Sequence, residues 1–215
     1  MISKNIFSFK IGYLLLVFTI FYIVITFLTN YWILTDGFYY SAFGNRLSEE
    51  RIEAFIGLNK QLQWIGYIMI PFFMTLKWII LASVLYVGLF LFNQPIPFNV
   101  SVKIIIIAEF AILLAVLVKM TLFLIYMPHS IEEVQFFYPL SVLHFFSIKQ
   151  VPTFLVYPLQ QLNLFEVIYW ILITAGIQTF TKNTFTKAIK ITASSYGVAM
   201  LLWILVIAFV QLQFS

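Results

Sequence analysis

The sequence predicts an all-α fold, a polytopic transmembrane helical bundle with five spans. Hydrophobic residues make up 63% of the 215-residue chain and charged residues 9%, whereas an ordinary soluble domain carries about 25% charged residues. Apolar runs approach or exceed the roughly 20 residues that a helix needs to cross a bilayer. These runs are residues 11–28, 64–92, 100–127, 164–180 and 188–210. Because charge is scarce along the whole chain, residues 1–215 are expected to form a single integral membrane domain.

The first apolar run, residues 11–28, has two interpretations. Lys4 and Lys10 precede it, as positive residues precede the apolar region of a signal peptide. Residues 29–32, however, lack the small-residue pattern of a cleavage site. The run also has 18 residues, which is long for a signal peptide's apolar region of about 7–15 residues. An uncleaved first span is therefore favoured over a signal peptide.

The first long loop, residues 30–63, is predicted to contain an interfacial amphipathic helix. Ser48 precedes two glutamates, Glu49 and Glu50, and this order is typical of a helix start because the positive end of the helix dipole favours acidic side chains. Apolar side chains then recur at approximately helical spacing. They are Ile52, Phe55, Ile56, Leu62 and Ile65. A solvated connecting helix is the alternative.

The second and third spans are predicted to form a helical hairpin. Pro95 and Pro97 in the short connection stop one helix and prevent its direct continuation into the next. Three ionisable residues lie at membrane depth in this hairpin. They are Lys77, Glu109 and Lys119. Because a charge inside a bilayer costs at least about 2.5 kcal/mol, these residues are the candidates for intramembrane polar contacts or contacts with a partner.

An ideal hairpin does not predict a direct ion pair between Lys77 and Glu109. Measured from the inner ends of the spans, Glu109 lies roughly 14 Å and Lys77 roughly 22 Å along its helix. Their side chains also lean apart, since each leans toward the N-terminus of its own helix. Three alternatives stay open. The charges are structural, with Lys119 reaching the nearer interface; or they meet a partner protein; or Lys77 and Glu109 line a polar cavity.

The second long loop, residues 128–162, is predicted to lie at the interface or against the bundle, because four prolines interrupt it. Ser130 and Glu133 form a capping box for a short helix in this loop. Asn163 and Glu166 have the same spacing at the start of the fourth span. Glu166 is therefore interpreted as a helix-capping residue rather than a functional carboxylate.

Small residues in the last two spans predict close helix packing. Ala175 and Gly176 lie in the fourth span, and Ala193 and Gly197 lie four residues apart in the fifth. Pairs of small residues at this spacing let two helix backbones approach closely in a membrane. This pattern is one of packing and carries no chemistry of its own.

Catalytic and cofactor chemistry has no support in the sequence. The chain has no cysteine, which excludes disulfides and thiolate metal sites, and it has no Gly-rich phosphate loop, metalloprotease motif or nucleophile elbow. His129 precedes Glu132 and Glu133 at a spacing that a metal site uses, but a capped helix start explains the same residues. We therefore expect no enzyme activity, no cofactor and no metal.

The distribution of positive charge predicts the orientation in the membrane. The net charge of +4 is small and the lysines lie near span ends, so we expect no nucleic-acid partner. With the N-terminus inside, the inner basic residues are Lys4, Lys10, Lys103, Lys182, Lys187 and Lys190. The outer ones are Arg46, Arg51, Lys60 and Lys149. Because lysine and arginine are enriched on the cytoplasmic side, the N-terminus is predicted to be cytoplasmic and the C-terminus external.

Four features of the sequence, taken in order along the chain, form one pattern. An amphipathic approach at residues 47–62 leads into the hairpin, and a short turn at residues 93–99 divides the hairpin. The fourth span begins Leu162-Asn163-Leu164-Phe165-Glu166-Val167-Ile168-Tyr169-Trp170. Ala175-Gly176-Ile177 and Lys187-Ala188 flank the next turn. From about residue 47 to 210 the pattern resembles the Yip1-like family of five-span membrane proteins in its small bacterial form.

The resemblance implies a non-enzymatic accessory or scaffolding protein of the bacterial inner membrane. Such a protein contacts membrane lipids and binds other integral membrane proteins through its spans and outer loops. The cytosolic tail with which eukaryotic members engage small GTPases has no counterpart in the ten residues before the first span. The alternative is a transporter or permease subunit in which Lys77 and Glu109 line a polar path.

Overall fold

The computed structural model describes residues 9–44, 46–147 and 150–213. Within these ranges the chain is all-helical and has no β-strand. The helices are α1 (Ile11–Trp32), α2 (Asp36–Phe43), α3 (Glu49–Leu91), α4 (Phe98–Ile125), α5 (Ile131–Phe136), α6 (Thr153–Gln161), α7 (Leu164–Thr181), α8 (Phe185–Thr192) and α9 (Val198–Gln213). A π-helical segment, Ala193–Gly197, joins α8 to α9. Two lysines used in the orientation prediction, Lys4 and Lys149, lie outside the described residues.

Among the described residues, five helices are long and apolar enough to cross a membrane. They are Ile11–Trp32, Glu49–Leu91, Phe98–Ile125, Leu164–Thr181 and the continuous stretch Phe185–Gln213. The all-α fold class is confirmed, and the long apolar helices are consistent with a membrane protein. The second of these helices is 43 residues long, because no turn sequence separates the predicted surface helix from the span that follows it. The segment predicted as an interfacial amphipathic helix is thus the first part of α3, and its position at a membrane interface stays a prediction.

The chain divides into two compact units. Unit 1 comprises Met1–Ile11, Leu76–Val116 and Tyr138–Ser215, and unit 2 comprises Gly12–Thr75 and Leu117–Phe137. Both α3 and α4 contribute residues to each unit.

Unit 2 has a small apolar core around α2. Phe38 and Tyr39 of α2 are buried against Ile52 and Ile56 of α3, and residues of α5 pack on the same cluster. Thr35 caps α2 by accepting a hydrogen bond from the backbone N–H of Phe38 at 3.3 Å. The first turns of α3 therefore bury their apolar face against protein.

In unit 1 the turn between α3 and α4 has a defined C-cap. Asn93 adopts the left-handed conformation, with φ of 55°, which asparagine tolerates better than most residues. The N–H of Gln94 bonds the carbonyl of Leu89 at 2.9 Å and the N–H of Asn93 bonds that of Phe90 at 3.0 Å. This is the Schellman arrangement, which satisfies carbonyls left open at a helix end. Asn183, from the turn after α7, donates to the Gln94 side chain at 3.0 Å, so the two turns of unit 1 are in contact.

The part of the second long loop that belongs to unit 1 contacts the helices around it. An isolated antiparallel bridge joins Ser141 of the loop to Asn163, directly after the loop. Further along, Tyr157 of α6 accepts a hydrogen bond from Trp203 of α9 at 2.9 Å. This part of the loop is thereby tied to the last helix, and its position at a membrane interface stays a prediction.

Candidate intramembrane polar site

Lys77 and Glu109 form an ion pair between α3 and α4. Lys77 Nζ lies 2.7 Å from Glu109 Oε1. The two ends of the pair differ in exposure, since the Lys77 side chain is 46% exposed and the Glu109 side chain only 3%. The pair thus joins the surface of unit 1 to its interior.

The ion pair forms because the distances of Lys77 and Glu109 from the turn differ less, with the observed helix ends, than the sequence predicts. Lys77 lies 14 residues before the end of α3 at Leu91, and Glu109 lies 11 residues after the start of α4 at Phe98. At 1.5 Å per residue these positions are about 21 Å and 16.5 Å from the turn, a mismatch of about 4.5 Å. The long, flexible lysine stem bridges such a distance. The positions of the helix ends therefore allow this contact, although the two side chains lean apart.

Glu109 is buried in the most enclosed part of α4. The six consecutive residues from 104 to 109 are all buried, so no side of the helix is open at this level. One carboxylate oxygen meets Lys77, while Oε2 is buried without a hydrogen-bond partner. A buried acceptor without a partner is uncommon in folded proteins and often lies at a functional site.

Glu166 is a second buried carboxylate of unit 1. Asn163 is the N-cap of α7, as predicted, and its side chain accepts from the N–H of Glu166 at 2.8 Å. The carboxylate, however, accepts at Oε1 from Trp170 Nε1 at 3.0 Å and from the Tyr196 hydroxyl at 2.7 Å. The expected reciprocal cap is therefore replaced by a link between α7 and the π-helical segment. The spacing of Glu166 and Trp170, four residues apart on one helix face, was the sequence signal for this contact.

Close packing fixes the position of Tyr196 in the π-helical segment. An added Cβ at Gly197 would lie 2.5 Å from the ring of Trp170, and one at Gly88 would collide with the side chain of Ser195. Segments of this type inside helices occur frequently at functional sites. The two glycines let α3 and α7 approach this segment so that the Tyr196 hydroxyl meets the Glu166 carboxylate.

Tyr138, which follows α5 in the second long loop, lies within electrostatic reach of both carboxylates. Burial raises the pKa of its phenol, and the charges of Glu166 and Glu109 raise it further. Lys77 and Glu109 in turn both act electrostatically on Glu166. We call Lys77, Glu109, Glu166, Tyr138 and Tyr196 the polar cluster. It contains two carboxyl groups and one amino group.

Lys119 lies in unit 2 and contacts α5. Its Nζ donates to the carbonyl of Val134 in α5 at 2.8 Å and lies 5.4 Å from the centre of the Phe123 ring. A carbonyl in the last turn of a helix has no partner within the helix, so this lysine satisfies it.

Of the two capping residues at the start of α5, Ser130 behaves as its spacing predicts and Glu133 does not. The Ser130 hydroxyl accepts from the N–H of Glu133 at 3.1 Å, and the Glu133 carboxylate accepts from the N–H of His129 at 2.8 Å. The carboxylate thus bonds the residue before the cap rather than the cap itself. In the described part of the chain no group of three metal-ligating side chains comes together.

The small residues of the last spans have separate neighbours. Gly176 faces α4, where an added Cβ would lie 2.8 Å from Ile104, whereas Gly197 faces Trp170 of α7. Ala175 is partly buried and Ala193 is exposed. Gly197 therefore supports an approach of the fourth and fifth spans, and Gly176 supports one of the third and fourth.

The stretch Leu162–Trp170, on which the Yip1-like resemblance partly rests, starts α7 and supplies Glu166 and Trp170 to the polar site. Comparison of the chain with protein-family models, curated proteins and solved structures finds no match. The Yip1-like relationship stays a prediction from the sequence.

Proposed function

We propose that this chain is a non-enzymatic accessory or scaffolding protein of Yip1-like type that crosses a bacterial inner membrane five times and binds another integral membrane protein. The observation that carries the proposal is Lys77, whose side chain is 46% exposed near the middle of the apolar part of α3. A membrane-embedded cation requires a polar partner. Glu109 supplies that partner on the interior side alone.

The surroundings of Lys77 strengthen the argument. Its neighbours on α3, Phe73, Leu76 and Ile80, are 59%, 43% and 53% exposed. In a bilayer this surface faces acyl chains, and a charge there costs roughly 2.5–3.5 kcal/mol on insertion unless its partners compensate it. A partner helix that presents a carboxylate or an open carbonyl to Lys77 would add to the compensation that Glu109 provides. Because lipid is as apolar as these side chains, the polar contact would supply the specificity of such a helix pair.

Site-specific photo-crosslinking in native membranes tests this contact. A photoreactive phenylalanine analogue at Ile80 is expected to give one discrete crosslinked protein, and the signal is expected to fall when Lys77→Met is added. The matched control position is Leu205 of α9, which is 64% exposed and is expected to crosslink lipid alone. A result in which Ile80 crosslinks only lipid would argue against a partner on this surface.

The orientation that accompanies the proposal places the N-terminus in the cytoplasm. The six inner against four outer basic residues support it. The hydrogen bond between Asn183 and Gln94 agrees with it, but either orientation of five spans places these two turns on one side. The chain has no cysteine, so single-cysteine variants at Thr186 and Arg46 report the two sides without background. A membrane-impermeant maleimide is expected to label Arg46→Cys, but not Thr186→Cys, in intact spheroplasts.

A transporter subunit is the second candidate, and the unpartnered Oε2 of Glu109 favours it. A buried carboxylate near Glu166 could bind a proton or cation that moves along a polar path. In that case a Glu109→Cys variant would react with a membrane-impermeant thiol reagent in intact cells. The accessory proposal expects Glu109→Cys to stay unreactive, because the side chain is enclosed by packed helices.

A further inference from the structure

A cavity of about 350 Å³ opens in unit 2 where α1 ends and the polar part of α3 passes into its apolar part. Its lining includes aromatic residues, Phe27, Tyr31 and Tyr39, and polar ones, Asp36, Asn59 and Lys60. This volume is within the roughly 300–1,000 Å³ of small-molecule sites. The lining thus combines apolar and polar chemistry, as the headgroup region of a lipid does.

The aromatic residues around the cavity are typical of the level where a membrane meets water. Three aromatic residues near it, Tyr31, Trp32 and Trp64, are 66%, 42% and 59% exposed. Tyrosine and tryptophan are enriched at membrane–water interfaces because one end of the ring system is apolar and the other polar. A ligand of this cavity would therefore lie beside lipid headgroups.

An exposed apolar stripe on α1 leads into the cavity. Its members follow helical spacing and are each about half exposed or more. They are Tyr13, Leu16, Ile20, Val24, Phe27 and Tyr31. Because Phe27 and Tyr31 also line the cavity, an acyl chain lying along the stripe would place its headgroup there. Because the apolar stripe continues into the cavity, the site fits a phospholipid better than a soluble molecule.

The charges of the cavity select the type of headgroup. Asp36 and Lys60 form an ion pair at 2.8 Å, with side chains 54% and 63% exposed. They are the charged residues of the lining, and their charges cancel, which matches a headgroup with one phosphate and one ammonium. An exposed ion pair contributes little to stability. The free-energy cost of breaking the Asp36–Lys60 pair is therefore small. Lys60 can then bond the phosphate and Asp36 the ammonium of a headgroup.

Tyr39 adds a hydrogen-bond donor to the cavity. Its oxygen accepts from Asn59 Nδ2 at 2.7 Å, which leaves its own O–H to donate. Burial raises the pKa of this phenol, the Asn59 hydrogen bond lowers it and the charge of Asp36 raises it, with a net increase. The phenol is therefore protonated at neutral pH and can donate to a phosphate oxygen.

We infer that this cavity binds the headgroup of a zwitterionic phospholipid, with Lys60 and Tyr39 on the phosphate, Asp36 on the ammonium and one acyl chain along the exposed stripe of α1. The site does not depend on the accessory function proposed above, since it requires no protein partner.

Native mass spectrometry of the full chain tests the inference. The protein is released from nanodiscs that contain equal amounts of phosphatidylethanolamine and anionic phosphatidylglycerol. We expect one retained phosphatidylethanolamine per chain. The exchange variant, Asp36→Lys with Lys60→Asp, keeps an ion pair but reverses the charges that face the headgroup. It is expected to retain the lipid about tenfold less, as for the loss of one charge-assisted hydrogen bond.

The matched control is the other exposed ion pair of unit 2, Arg46 with Glu132, at 3.3 Å and outside the cavity. Its exchange variant, Arg46→Glu with Glu132→Arg, is expected to retain the lipid as the natural chain does. Thermal unfolding of both variants shows whether each is folded. Preferential retention of phosphatidylglycerol, no retained lipid, or equal retention by the natural chain and the folded cavity variant would overturn the inference. Equally tight binding of soluble glycerophosphoethanolamine would also overturn it, since the acyl chain would then contribute nothing.

Discussion

Lys77 Nζ lies 2.7 Å from Glu109 Oε1, and the two side chains differ in exposure by more than tenfold, at 46% and 3%. Such a pair is asymmetric, because the glutamate depends on the lysine more than the lysine depends on the glutamate. Removing the lysine leaves an enclosed carboxylate without its counterion. Removing the carboxylate charge instead leaves a lysine whose long stem can carry the ammonium along the helix surface toward an interface.

The asymmetry predicts unequal effects of two single substitutions on stability. Lys77→Met is expected to lower the free energy of unfolding by about 1–3 kcal/mol, below the roughly 3–5 kcal/mol of a fully buried pair because the lysine end is open. Glu109→Gln is expected to cost less, and the double variant to recover part of the loss. Reversible unfolding in mixed micelles measures all three, with the exposed Lys187→Met as the control. Equal costs for the two single variants would contradict the asymmetry.

Glu166 predicts a second set of effects. Tyr196→Phe removes the 2.7 Å hydrogen bond to its carboxylate and is expected to cost about 1–2 kcal/mol, since bonds to charged acceptors are stronger than average but polar contacts in membranes yield modest energies. The control is Tyr126→Phe, whose side chain belongs to a residue that is 74% exposed and is expected to change stability little. The free energies of unfolding of the two variants are measured in the same mixed micelles. If Tyr196→Phe were as stable as the natural chain, the link between α7 and the π-helical segment would not contribute to the fold.

Two glycines of α3 provide a matched test of close packing. Gly88→Ala places a methyl group against Ser195, whereas nothing lies within 4 Å of a Cβ at Gly66. We expect Gly88→Ala to destabilise the protein by about 1–3 kcal/mol through overpacking. Gly66→Ala is expected to be neutral or stabilising by up to about 1 kcal/mol, because alanine is the better helix former. The melting temperatures of the two variants are measured side by side, and the reverse order would contradict the packing of α3 against the π-helical segment.

The ion pair of Arg46 and Glu132 predicts a dependence of stability on pH. The hydrogen bond from its own backbone N–H, and then that from Arg46, lower the pKa of the Glu132 carboxyl. Because the pKa is lower in the folded state, the stabilisation is present above the unfolded value of about 4.3 and is lost as the pH falls through the folded value. The difference in Tm between the natural chain and Arg46→Met should therefore shrink below pH of about 4. A difference that grew on acidification would have the wrong sign.

Hydropathy and proline positions predicted most of the fold. The five long apolar helices and the break after Leu91 follow from composition and from Pro95 and Pro97. The sequence did not show that the predicted surface helix and the second span are one continuous α3. The predicted surface helix ends at residue 62 and the predicted span begins at residue 64. No turn residue between them indicates whether the chain bends there or continues as one helix.

The polar site was predicted only in part. Lys77 and Glu109 were recognisable because charges are rare in apolar runs, but their pairing depended on helix ends displaced by a few residues. Glu166 was interpreted as a cap because capping is a local pattern. Its partners include Tyr196, thirty residues away, and such a contact depends on tertiary packing that local spacing does not encode.

A partner protein that covers Lys77 is expected to stay bound through mild-detergent extraction from native membranes, and native mass analysis of the extract detects it. The natural chain and Lys187→Met are expected to retain one protein partner in fixed stoichiometry, and Lys77→Met is expected to lose it while remaining folded. A natural chain that carries only lipid, as a monomer or a homo-oligomer, would contradict the claim. Retention of the same partner by folded Lys77→Met would contradict the role of this residue.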